Sequence, residues 1–96
     1  MKHRISLHRV IDESAARANE IKMFWRMSCR AAALCKGVLD DKAYAELDEV
    51  LDELDLIATM TDRQEMREKA RKRVADLNAH VAREKERQRL AKEAVA

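Results

Sequence analysis

Apolar and small residues recur along the first third of the chain at alternating steps of four and three: Leu7, Ile11, Ser14, Ala18, Ile21, Trp25, Ser28, Ala32 and Cys35. That spacing is the seam of a coiled coil, and it predicts a helix over about residues 7–36. Gly37 follows at the place where a helix C-terminus favours a residue tolerant of positive φ, with Lys36 suited to the negative end of the macrodipole. A turn over residues 37–40 then leads to Asp40 or Asp41, either of which can cap a second helix over about residues 41–60. Its apolar positions Tyr44, Leu47, Leu51, Leu54 and Ala58, flanked by Ala43, Val50 and Ile57, form one stripe.

Thr61 to Gln64 matches a capping box, with Asp62 in the first turn and Thr59 as a competing cap, so a third helix is predicted over about residues 62–96. Met66, Ala70, Val74, Leu77 and Val81 keep one face apolar until Glu84 and Gln88 interrupt it, before Ala91 and Val95 resume. Residues 82–96 therefore read as an exposed helical extension that frays or docks on a partner, fraying being the commoner fate of a charged terminus. Near the N-terminus Ile5 and Leu7 alternate with polar residues as a strand would. A ribbon-helix-helix DNA-binding fold begins in this way, but it needs a turn between two short helices, and no turn signal occurs between Asp12 and Lys36.

The first helix has more apolar surface than one seam requires. Met23, Met27 and Leu34 lie roughly 160 to 240° round the axis from Ile21, with Phe24 and Ala31 between. A second stripe of this kind predicts burial by another molecule, most simply a second copy, so Met23, Phe24, Met27 and Leu34 are the expected dimer or partner interface. Methionines adapt to irregular surfaces, which suits that role.

Composition agrees with helices throughout. The 96 residues include no proline, one glycine and 40% charged side chains, a profile that fits strands and loops poorly. The expected fold class is all-α: one helical domain, a three-helix bundle with two long helices and a shorter acidic middle helix, closed into a homodimer. No apolar core follows Lys2, His3 and Arg4, and the longest uncharged run is Leu56 to Thr61, too short to span a bilayer, so a cytoplasmic location is expected. Cys29 and Cys35 are six positions apart on one helix and cannot close a disulfide there; two reduced, buried thiols are expected.

The near-neutral net charge of +2 conceals a partition by helix. Basic residues outnumber acidic ones eight to three over residues 1–36, acidic outnumber basic eight to one over 37–60, and basic lead eleven to seven over 61–96. Glu46, Asp48, Glu49, Asp52, Glu53 and Asp55 occupy the face of the second helix opposite Leu47 and Leu51. They are either neutralised by the basic residues of the neighbouring helices or offered to a basic partner. On the basic side, Lys2, Arg4, Arg9, Arg67, Arg71 and Lys72 are the candidate phosphate contacts. Those of the third helix point in many directions, however, among interleaved Glu and Asp residues that suit i,i+3 and i,i+4 pairs.

Candidate chemistry is sparse. His3, His8 and His80 include no pair at ligand spacing, and His8 with Asp12 or His80 with Glu84 makes too few ligands for a structural metal. The serines and cysteines lie on helices without a nucleophile turn, and one glycine cannot build a phosphate loop. No metal, cofactor or catalytic activity is expected. The sequence predicts a non-catalytic protein that binds a target protein through a helical surface and regulates or inhibits it, with the acidic second helix as the candidate to meet a basic target. Small phage- or plasmid-type accessory proteins share this profile. The alternative is a nucleic-acid-binding transcriptional regulator using the N-terminal arm and third helix, and a third reading is a coiled-coil scaffold subunit.

Overall fold

The computed structural model describes the backbone of residues 7–95 and the side chains of residues 16–95. Within that range it is all helical, with three helices and no strand: α1 (Leu7–Lys36), α2 (Asp41–Met60) and α3 (Gln64–Val95). The boundaries follow local chemistry. Asp40 is extended and its carboxylate accepts the Ala43 amide at 2.9 Å, making it the cap of α2. Gly37 ends α1 without adopting positive φ; its amide closes a tight turn on the Leu34 carbonyl at 3.3 Å. A glycine is not required at this place, since a Cβ would meet only that carbonyl oxygen, at an ordinary 3.9 Å.

The predicted capping box is not formed. Thr61 is extended and its amide still bonds back to Ile57, so it closes α2 rather than opening α3. Its hydroxyl accepts the Arg63 amide at 3.2 Å, while Gln64 turns away to Glu68 and Arg67. α3 accordingly starts at Gln64, two residues later than the motif implies.

α2 lies against both long helices. Arg30 reaches Glu49 and Glu20 meets Thr61, so α1 runs antiparallel to α2. Tyr44 bonds Gln88, so α3 is antiparallel to α2 in turn and parallel to α1. Leu47, Val50 and Leu54 are fully enclosed, with Ala31, Ala70, Met66, Leu77 and Leu39 around them. Helices of 30, 20 and 32 residues differ in length, so both ends of the bundle project. The result is a rod of 77 × 18 × 15 Å with a radius of gyration of 18.6 Å, against about 13 Å for a compact chain of this size.

On α1 the expected assignment of faces is reversed. Phe24 and Met27, each 7% exposed, are in the core with Ala31, and Met23 and Leu34 pack at its edge. Much of the regular seam faces outward: Ala18 and Ala32 are exposed, Ile21 is 40% exposed and Trp25 58%, although Ser28 is buried and Cys35 half-buried. The cause is continuity of apolar area. One stripe brings Met23, Phe24, Met27 and Leu34 together against the core, while the other interrupts its large residues with Ser14, Ala18, Ser28 and Ala32 and so offers less continuous area to bury. Phe24 and Met27 are thus unavailable as the dimer interface that the sequence pattern suggests.

The extension of α3 is also shorter than expected. Gln88 donates to the Leu39 carbonyl at 3.0 Å and accepts the Tyr44 hydroxyl at 3.1 Å, fastening α3 to the α1–α2 turn. Lys85 lies over the Tyr44 ring, 5.1 Å from its centre. Within α3, the residues exposed without exception are 89–95.

Two stability measurements check this arrangement. Met27→Ala should cost about 2 to 5 kcal/mol in urea unfolding, whereas Trp25→Ala should stay within about 1 kcal/mol; the reverse order would return the seam to the core. Truncation after Gln88 should leave the melting temperature nearly unchanged, but Gln88→Ala should lower stability by about 1 kcal/mol through the orphaned Leu39 carbonyl and Tyr44 hydroxyl.

Candidate interaction surfaces

The acidic face of α2 is where the sequence places it. Asp48, Glu49, Asp52, Glu53 and Asp55 are exposed, and Glu46 is half-buried. Among the described residues only Glu49 of this group meets a cation, Arg30 at 3.4 Å, in a pair open to solvent on both sides. Neutralisation by α1 and α3 is therefore slight among the described side chains. Leu56 and Met60 are exposed among these carboxylates, and a shallow depression beside them is lined by Met23 and Ala16 of α1. An apolar anchor flanked by Glu53, on a helix face with further carboxylates, is a surface suited to contact with another macromolecule.

The candidate phosphate contacts do not converge. Arg67 is engaged at home, donating to the Thr61 carbonyl at 2.9 Å and to Gln64 at 3.2 Å. Arg71 and Lys72 are exposed but roughly 100° apart around α3. Farther along, Arg87 and Arg89 hold Glu84 and Glu86, and these hydrogen bonds keep both carboxyls below the ordinary glutamate range. Lys2, Arg4 and the side chain of Arg9 lie outside the described residues, as do the side chains of His3, His8 and Asp12.

Comparison with known protein families, with curated proteins and with solved structures finds no match. The reading of function consequently rests on the surfaces themselves.

A third surface escaped the sequence reading. α1 and α3 run side by side yet pack together little, and an open groove follows their seam. Its α1 wall is Ile21, Trp25 and Ser28; its α3 wall is Met66, Lys69, Lys72 and Arg73. Phe24 forms part of the floor, edge-on to Trp25 with ring centres 5.6 Å apart. At one end, Glu20 accepts the Thr61 hydroxyl and pairs with Arg63 at 3.0 Å, closing the seam with a half-buried polar cluster. At the other, Arg73 donates to the Ser28 carbonyl at 3.2 Å. The sequence signal for this groove is the seam on α1, which points to a helical neighbour without saying how loosely α3 would meet it.

No three carboxylate, thiol or imidazole side chains among the described residues gather closely enough to hold a metal ion. The two thiols are free but not equally buried. Cys29 is exposed, contrary to the expectation, while Cys35 is half-buried and burial pushes its thiol above the ordinary value, with Arg73 opposing the shift. At pH 8, iodoacetamide should therefore alkylate the exposed Cys29 first and Cys35 more slowly, since burial both shields its sulfur and disfavours its thiolate. Peptide mass spectrometry over a time course reads this directly, and equal rates would contradict the burial of Cys35.

Proposed function

We propose that this protein is a non-catalytic binding protein whose acidic α2 face docks on a basic surface of a target protein. The observation that carries the reading is the exposure of Asp48, Asp52, Glu53 and Asp55 without a cation beside them among the described residues, around the apolar side chains of Leu56 and Met60. Like charges crowded on one helix face cost stability, and a complementary partner removes that cost while steering the encounter. Leu56 and Met60 supply the desolvated contact, since exposed charges alone contribute little affinity. Regulation or inhibition of the target follows from occupancy: a face laid over a basic site blocks whatever else that site binds.

The alternative of nucleic-acid binding has weaker support, because the basic side chains of α3 are dispersed and several are held by neighbouring carboxylates. The test is capture by the tagged protein from lysate of its source, with and without nuclease, beside a variant carrying Asp48→Lys, Glu49→Lys, Asp52→Lys and Glu53→Lys. A discrete protein should survive nuclease treatment and be lost with the variant, whose circular dichroism should keep its helical signal. Retention of the same protein by the variant would remove α2 from the account, and loss of all bound material to nuclease would favour nucleic acid.

A further inference from the structure

The α1–α3 groove presents two kinds of unmet demand. The first is geometric. Ala18, Ile21, Trp25, Ser28 and Ala32 continue a four-three seam whose regularity matches a closely packed helix, yet α3 borders it without filling it: Ser28 is buried, while Ala18, Ile21, Trp25 and Ala32 stay exposed. Small residues at Ala18 and Ala32 allow close approach of a backbone on either side of the large Ile21 and Trp25.

The second demand is polar. Three buried side-chain atoms in the described part of the molecule have no hydrogen-bond partner: Ser28 Oγ, Arg63 Nε and Arg73 Nε. All three residues line this groove. Ser28 is only 7% exposed, so its hydroxyl is held in place against the seam with nothing to bond. Orphaned buried groups are uncommon in folded proteins and call for a physical reason when they cluster. The two Nε–H groups are donors and the hydroxyl can be one; beside them stand the ammonium groups of Lys72 and of Lys69, the latter 3.4 Å from Glu65 in an exposed pair. What would satisfy this set is rich in acceptors and negatively charged.

We infer that the α1–α3 groove is the docking site for an acidic amphipathic helix of a partner protein, which seats its apolar stripe on Ile21 and Trp25 and turns its carboxylates towards Lys69, Lys72 and Arg73. Charge argues against a second copy of α1 here, since residues 1–36 are themselves strongly basic and would bring Lys22 and Arg26 towards the lysines. A continuous phosphate backbone fits less well, because Glu65 and Asp76 also border the groove and would repel it, whereas carboxylates on one helix can be spaced to avoid them. No residue of α2 lines this surface, so the inference stands apart from the role of the acidic face.

Trp25 is the sole tryptophan, and its emission reports on the groove directly. The probe is a synthetic amphipathic helix with leucines on one stripe and glutamates flanking it, set against the same peptide with lysines for glutamates. Titrated into the full chain, the glutamate peptide should shift Trp25 emission to the blue, and the lysine peptide should not. Lys69→Glu with Lys72→Glu should weaken the glutamate peptide by at least about tenfold while circular dichroism stays unchanged. Ser28→Ala, a milder change, should weaken it less and serves as the check if the double variant loses its fold. Equal shifts with both peptides, or none with either, would overturn the inference. So would a blue shift that grows with protein concentration alone and coincides with dimers in sedimentation, since a second copy would then cover the seam.

Discussion

Leu47, Val50 and Leu54 stand in a row on α2 with no surface left to water, and the two long helices meet each other chiefly through that row. Burying three branched side chains is worth roughly 1.5 to 3 kcal/mol apiece, which makes the inner face of α2 the main source of cohesion in a thin rod. It also fixes what the rest of α2 can be. A helix that buries one stripe between two neighbours has its opposite side turned fully outward, and here that side is a run of carboxylates. The acidic surface and the core are thus two faces of one short segment.

The same constraint accounts for the α1–α3 groove. Because α2 satisfies both long helices, they need not close on each other, and the polar bonds at Glu20–Arg63 and Arg73–Ser28 bridge the seam without filling it. A third side of the bundle remains partly open, and the side chains along it have desolvated polar atoms that a fully packed seam would have paired. A basic groove and an acidic face thus lie on different sides of one rod, each complementary in sign to an oppositely charged surface.

Much of the fold was legible in the residues. Absence of proline, the stripe on α2 and the Asp40 cap were enough to set the number, order and approximate ends of the helices. The harder question was α1, where two stripes compete. Periodicity favoured the regular seam, but periodicity reports only that a face is special. Which stripe goes inward is decided by apolar area and by what the neighbours can enclose, so Phe24 and Met27 displaced Ile21 and Trp25. Gln88 was misread for a related reason: a polar residue on an apolar face looks like an interruption until the turn supplies a carbonyl and a tyrosine hydroxyl for it to join. Thr61 shows the limit of motifs, because its hydroxyl is drawn away from the capping box by Glu20, forty-one residues distant in sequence. The outward position of Asp48, Glu49, Asp52, Glu53 and Asp55 needed only local spacing, whereas the groove, and the half-burial of Glu46, depend on tertiary contacts.

With α1 and α3 parallel and α2 opposed, the backbone dipoles of the three helices do not cancel. About one helix's worth remains, equivalent to roughly half an elementary charge of opposite sign at each end. The rod therefore has an electrical head and tail independent of its side chains. In dilute salt, where such fields extend farthest, it would turn in an applied field and present the same end first to a charged surface. A bundle of four alternating helices would have no such sense of direction.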